Sequence, residues 1–192
     1  MHSIVPKSYT DLQLTSKTIG FSMGSKQPEG ELLKTLITAK PKGHFLELGT
    51  GMGLSLSWMV AGMDQESTLI SIDNDQNLLK EVIPHFKDDH RVSILYEDAS
   101  KWLQNYTDEG FDLIFADAWP GKYSDLSKTL SLLNTGGIYM VDDLLPQPNW
   151  PEGHQKKVND FLTFMESQPQ FITTQLTLST GVLLAVKKNL NH

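Results

Sequence analysis

The 192-residue sequence contains no cysteine. Disulfides and thiolate chemistry are therefore excluded, and any bound metal would take oxygen or imidazole ligands. Positive charge is also scarce. Sixteen Lys and Arg face 23 Asp and Glu, a net charge of −7, which does not favour binding along a phosphate backbone. The only adjacent basic pairs are Lys156-Lys157 and Lys187-Lys188, and a solvated helix face or strand end accounts for them. No apolar run approaches the ~20 residues needed to span a bilayer. The first residues carry no basic-then-apolar leader pattern, so a cytoplasmic protein with no membrane partner is expected. Repeats and low-complexity linkers are missing as well.

What is present is an ordinary globular composition, 39% apolar and 20% charged. The length suits one domain spanning 1–192, with an N-terminal helical part over 1–40 and a core over 41–192. From residue 44 onward, short apolar runs alternate with longer amphipathic ones. Strands are expected at His44–Leu48, Thr68–Ile72, Arg91–Leu95, Phe111–Ala116 and Gly136–Val141. Helices are expected at Leu54–Gly62, Asp75–Phe86, Ser100–Tyr106 and Tyr123–Leu133. This alternation implies βαβ units and a parallel sheet covered on both faces. The ending differs. A helix over Lys157–Ser167 precedes two runs, Phe171–Leu176 and Val182–Val186, separated by Ser179-Thr180-Gly181. Strands that close in sequence form an antiparallel hairpin. The fold class is thus α/β: a Rossmann-like, doubly wound, seven-stranded sheet of five parallel strands and a C-terminal antiparallel hairpin. The first ~40 residues, with Pro28–Thr38 the clearest helix, are placed as a cap near the strands' C-terminal ends.

The first strand runs directly into Glu47-Leu48-Gly49-Thr50-Gly51-Met52-Gly53. Glycines there permit a tight turn and close approach of a ligand to the backbone, at a helix start whose N–H groups are free. A glycine turn alone is also compatible with no ligand. Three further acidic positions add weight, because each falls at a strand's C-terminal end, the edge where open α/β sheets bind ligands. They are Asp73 with Asn74, Asp98 with Ala99, and Asp117 followed by Ala118-Trp119. Asp73 lies 24 positions after Gly49, suited to a ribose diol. Asp98, taken singly, reads as a helix N-cap. A nicotinamide-dinucleotide site is the rival reading, but its G-x-G-x-x-G/A fingerprint needs a small residue where Leu54 stands. Glu47 would also repel a pyrophosphate, whereas it suits the cationic methionine end of S-adenosylmethionine (AdoMet).

Together, Glu47–Gly53, Ile72-Asp73-Asn74, Asp98-Ala99 and Phe111–Asp117 resemble the class I AdoMet-dependent methyltransferases, and more narrowly the catechol and caffeoyl-CoA type O-methyltransferases. The resemblance covers roughly residues 20–187. It implies that Asp73 holds the ribose, that Asp98 and Ala99 meet the adenine, and that Glu47, Gly49, Thr50, Gly51 and Gly53 face the methionine portion. Phe21–Ser25 resembles the segment lying over the cofactor, which makes Met23 and Ser25 contacts. Trp119 matches an aromatic near the methyl donor, with a packed core Trp as the plain alternative. The subgroup binds a divalent cation such as Mg²⁺ through one carboxylate after strand four and an Asp-Asn pair after strand five. Here these are Asp117, Asp142 and Asp143, so the second residue of the pair departs from the pattern. Three converging carboxylates repel unless a cation or proton intervenes.

A second departure concerns the base. Where the subgroup carries a lysine, three residues after the first carboxylate, this chain has Pro120. Lys122 and His154, the latter in the loop Leu144–His154 that also carries Trp150, are the substitutes. His has a suitable ordinary pKa, although a plain loop histidine is the alternative. The expected activity is methyl transfer to a small-molecule acceptor, by oxygen methylation. An RNA or protein methyltransferase on the same fold and a non-catalytic AdoMet-binding protein remain alternatives. A homodimer is what the resemblance suggests.

Overall fold

The computed structural model describes residues 5–148 and 150–189. Seven strands form one sheet: β1 (His44–Leu48), β2 (Thr68–Asp73), β3 (Val92–Tyr96), β4 (Phe111–Ala116), β5 (Leu133–Val141), β6 (Phe171–Leu176) and β7 (Val182–Lys187). Their order is β3-β2-β1-β4-β5-β7-β6. The first five are mutually parallel, β7 runs antiparallel to β5, and β6 pairs antiparallel with β7. The predicted α/β topology is therefore the observed one. Chain order reverses between β1 and β4, and at such a switch point the two following loops diverge to opposite faces and leave a crevice.

The helices are α1 (Lys7–Ile19), α2 (Gln27–Thr38), α3 (Leu54–Gly62), α4 (Gln76–Phe86), α5 (Ala99–Asn105), α6 (Leu126–Ser131) and α7 (His154–Glu166). Alternate strand residues feed two cores, as the period-2 geometry of strands requires. Leu46, Leu48, Ile114, Ala116, Tyr139 and Val141 pack with Trp102, Leu103, Leu130, Val158 and Phe161 of α5, α6 and α7. Phe45, Leu113, Phe115 and Met140 pack with Leu12, Leu33, Ile37, Trp58 and Val82 of α1 to α4.

α1 and α2 do not cap the strand ends as expected. They extend the helical layer beside α3 and α4, because their apolar residues need that face. Tyr9 of α1 meets the Trp58 ring edge-on at 5.4 Å, and Gly30 of α2 lies so close to Trp58 that a Cβ there would fall 2.1 Å from the ring. The connection between the two helices, Phe21–Lys26, and Glu29 in the first turn of α2 reach the strand ends.

Three elements differ from the sequence reading by more than one residue at a boundary. α6 is shorter than Tyr123–Leu133, since residues 119–125 fold into a tight turn in which the Tyr123 and Ser124 amides donate to the Trp119 carbonyl at 2.8 and 3.1 Å. β5 starts at Leu133 and passes through the Thr135-Gly136-Gly137 stretch, with a register irregularity opposite Phe111–Leu113. α7 starts at His154, behind Gly153 in the left-handed region (φ 80°). His154 is thus anchored on a helix rather than in a loop.

Candidate active site

The β1–α3 turn lies at the switch point. Gly49 sits at φ 100°, and a Cβ on it would stand 2.7 Å from the Asp117 carbonyl. Both the dihedral and the approach demand glycine. The Gly49 amide donates to the Ile72 carbonyl at 2.9 Å, and the Asp117 amide to the Leu48 carbonyl at 2.9 Å, so the ends of β2, β1 and β4 are tied together. Asp73 closes the turn from the side. One carboxylate oxygen accepts from the Gly51 amide at 2.7 Å and the other from the Asp75 amide at 2.8 Å, which leaves outward lone pairs on a held carboxylate.

A cavity of about 700 Å³ opens over these ends. Gly49, Gly51, Asp73, Asn74, Asp98, Ala99, Asp117 and Trp119 all line it, as do Met23 and Ser25 from the connection between α1 and α2. The Ser25 hydroxyl is buried without a hydrogen-bond partner. Buried hydroxyls are rarely left so, and this one belongs to the cavity wall. Asp98 has two roles: it lines the cavity and caps α5 by accepting from the Lys101 amide at 2.9 Å.

Three of the predicted cofactor residues do not reach the cavity. Glu47 is fully buried beneath the turn. Ser55 Oγ donates to its Oε1 at 2.6 Å and Ser71 Oγ donates to its Oε2. Since the single Ser71 proton is committed to Glu47, the 2.6 Å contact between Thr50 Oγ1 and Ser71 Oγ has Thr50 as donor. Two hydroxyls thus meet the carboxyl directly and Thr50 reaches it through Ser71, which binds the turn to β2 and α3. Thr50 is consumed in this network, and Gly53 is packed against Val82 and Leu12. These residues shape the turn from below; β1 alternation directs Glu47 into the body.

Burial pushes the Glu47 carboxyl up to about 7, against the two serine hydrogen bonds. A carboxyl whose folded pKa exceeds its unfolded one stabilises the fold below the unfolded value and loses that contribution as pH rises through the folded one. Glu47→Gln is therefore expected to flatten the decline of thermal stability between about pH 4.5 and 7, by at most about 3 kcal/mol. Melting curves across that range would show it, and parallel curves for the two proteins would contradict it.

Across the cavity, Asp117, Asp142 and Asp143 present oxygens all within 4.8 Å of one another. Removal from water, and then the neighbouring carboxylates, holds Asp117 and Asp142 well above the usual carboxylate range. Asp142 Oδ1 is buried and unpartnered. Lys122 is buried beside them and donates from Nζ to the Asp142 main-chain carbonyl. Gly121, the residue before it, sits in the left-handed region (φ 89°).

His154 shares the wall with three aromatics. Its ring lies 4.5 Å from Trp150, 5.5 Å from Tyr123 and 6.5 Å from Trp119, centroid to centroid. Nε2 stands 3.3 Å from the Tyr123 hydroxyl, and Nδ1 is buried without a partner. Burial, then the Lys122 charge, lowers its pKa despite Asp143, with Lys157 acting in the same direction. The imidazole is therefore neutral at pH 7. Trp119 is exposed on one side, with Lys157 Nζ 4.5 Å from the ring centroid.

Sequence reasoning missed Glu29, Tyr123 and Thr180, all of which line the cavity. Glu29 reads as an ordinary capping residue at the third position of α2, Tyr123 as the start of a helix, and Thr180 as a hairpin turn. None carries a local signal of a site. Among the described residues, no helix is long and apolar enough to cross a membrane.

The model of the O-methyltransferase family matches residues 8–188. Tapetum-specific methyltransferase 1 of Arabidopsis thaliana is 25% identical over 179 residues, covering 84% of this chain and 77% of the plant protein. The solved O-methyltransferase of Bacillus cereus in complex with S-adenosylhomocysteine (SAH) superposes with a TM-score of 0.81 at 19% identity, over 96% of this chain and 93% of that one. TomG of Streptomyces achromogenes, an O-methyltransferase of tomaymycin synthesis solved with AdoMet, also gives 0.81 at 19% identity, over 95% and 90%. With the fold shared along the whole chain and the family model spanning nearly all of it, the protein belongs to the O-methyltransferase family.

Proposed function

We propose that this protein binds AdoMet at the β1–α3 turn and methylates a hydroxyl of a small-molecule acceptor held between Asp117, Asp142, Asp143 and His154. The observation that carries the reading is one continuous cavity. The glycine turn, Asp73 and Asp98 line one part of it, and the carboxylates, His154 and the tryptophans line another. AdoMet bound there would supply a methyl group already activated by the sulfonium charge, so the protein mainly positions the acceptor and excludes water.

Asp73, with both oxygens oriented by backbone amides, suits a ribose diol. Asp98 and Ala99 suit the adenine, and the free Ser25 hydroxyl and the Gly49–Gly51 backbone suit the methionine portion. Glu47 supports the turn from behind. The donor set of three carboxylates, one with a buried unpartnered oxygen, fits a hard divalent cation such as Mg²⁺. Held by Asp117, Asp142 and Asp143, such an ion would lower the pKa of a nearby hydroxyl.

For the proton itself, His154 is the better supported base. It is neutral and retains an unpartnered ring nitrogen, whereas the Lys122 ammonium is engaged by the Asp142 carbonyl. Lys122 serves to balance the charge of the acidic cluster. Trp119 and Trp150 offer flat apolar walls to the acceptor.

Calorimetry with AdoMet and SAH, with and without Mg²⁺, followed by a labelled-methyl screen of phenols, tests the reading. Binding and transfer are expected. No binding of either nucleoside would overturn it, and binding without transfer to any acceptor would favour a non-catalytic AdoMet-binding protein. Asp117→Asn is expected to abolish any Mg²⁺ dependence of activity and any Mg²⁺-induced rise in melting temperature. Indifference of the unaltered enzyme to both Mg²⁺ and chelators would remove the ion from the reading.

A further inference from the structure

Glu29 and Thr180 are 151 positions apart and meet at the cavity wall. Glu29, at the third position of α2, is 1% exposed. Its Oε2 accepts from the Lys26 amide at 2.6 Å, which fastens the end of the Phe21–Lys26 connection. Its Oε1 accepts from Thr180 Oγ1 at 2.9 Å and from the Thr180 amide at 3.4 Å. Thr180 lies in the turn between β6 and β7 and grips a third segment. Its hydroxyl oxygen accepts from the Asp143 amide at 3.3 Å. Its carbonyl accepts from the Leu144 and Leu145 amides at 3.0 and 2.7 Å.

The proton positions are consistent along the chain. The Asp143 N–H points to the Thr180 hydroxyl, whose own proton points to Glu29, whose other oxygen takes the Lys26 N–H. Asp143 sits at φ 53°, a conformation that costs an aspartate energy unless surrounding bonds hold it. Thr180 supplies those bonds. Gly181, next in the turn, lies so close that a Cβ on it would stand 2.6 Å from the Leu145 side chain.

We infer that Glu29 and Thr180 are positioning residues that couple the segment covering the cofactor, Phe21–Lys26, to the segment that carries Asp143 and begins the acceptor wall. Neither touches reacting atoms. Ordering of residues 21–26 around a ligand, for which the unpartnered Ser25 hydroxyl is the waiting contact, steadies Glu29 and through Thr180 fixes the backbone of 143–145. Cofactor occupancy thereby prepares the acceptor side. The inference rests on the AdoMet reading of the cavity.

Hydrogen–deuterium exchange with SAH as the probe tests it without knowledge of the acceptor. In the unaltered protein, SAH is expected to slow exchange both at 21–26 and at the amides of Asp143, Leu144 and Leu145. Thr180→Val removes the hydroxyl but keeps the shape. It should retain protection at 21–26 and lose at least tenfold of the ligand-induced protection at 143–145, while Thr180→Ser restores it. Persistence of that protection in Thr180→Val, or its absence from the unaltered protein, would overturn the coupling. SAH affinity measured by calorimetry on the same samples separates this failure from that of the cofactor reading. An unaltered protein that does not bind SAH sinks both, whereas binding with no response at 143–145 sinks only the coupling. If Thr180→Val loses its fold, Glu29→Gln gives the same comparison, since a glutamine oxygen can serve only one of the two sides.

Discussion

Replacing His154 with Ala is expected to lower kcat by about 10²- to 10³-fold, the range for losing a positioned general base. AdoMet affinity should stay within about threefold, because His154 stands on the part of the cavity proposed for the acceptor. The imidazole belongs to α7, and Tyr123, Trp119 and Trp150 surround it, so its orientation is fixed by packing. In the tautomer where Nε2–H donates to the Tyr123 hydroxyl, Nδ1 keeps a lone pair for a proton.

The pH dependence follows from the direction of the His154 shift. Burial and the lysine charges lower its pKa, so the base form dominates from about pH 6.5 upward. The rate should climb through a limb lying below that value and then level off. His154→Ala should remove this limb as well as lowering the plateau. Rates over pH 5–9 with the acceptor found in the methyl-transfer screen give both readouts. A variant that retains both kcat and the acidic limb would place the base elsewhere, with Lys122 next in line.

The second large effect belongs to Asp73. Asp73→Ala is expected to weaken AdoMet binding by about 1.5–3 kcal/mol, the scale of hydrogen bonds to a charged group, or roughly 10- to 150-fold in Kd at 1.4 kcal/mol per decade. Two losses combine. The carboxylate offered to the ribose disappears, and so does the bond that holds the Gly51 amide at 2.7 Å. Asp73→Asn separates them, since it keeps one acceptor oxygen for the turn and forfeits the charge. Calorimetric titration of the three proteins is the measurement. Equal affinities would mean that the ribose is held elsewhere, and Asn behaving as badly as Ala would assign the effect to charge rather than to the turn.

Much of the sheet edge was legible in the chain itself because its signals are local. A strand that ends on glycines, and carboxylates that follow successive apolar runs, imply βαβ order and ligand groups at strand C-termini whatever the remaining contacts. Gly49, Gly51, Asp73, Asp98, Asp117 and the acidic pair Asp142-Asp143 accordingly stand where the pattern put them. Glu47 shows the limit of such reasoning. Its distance from the glycines suggested a ligand contact, yet strand alternation and the hydroxyls of Ser55 and Ser71 take it into the body.

On the acceptor side, tertiary structure decided more. The sequence named His154 and Lys122 as equal substitutes for the missing lysine at Pro120. Their difference appears only when Lys122 is found bonded to the Asp142 carbonyl and His154, on α7, is found enclosed by three aromatics from two separate loops. Glu29 and Thr180 were invisible as partners, since no periodicity relates a helix cap to a hairpin turn at the other end of the chain. By itself the sequence determined the succession of strands and helices, the glycine turn and the carboxylates at the strand ends, because backbone sterics and hydrophobic periodicity act between near neighbours. Only the folded chain decided which of those groups face the cavity, which are buried to support it, and which distant residues hold them. Burial and hydrogen-bond pairing depend on segments that the sheet brings together from opposite ends of the molecule.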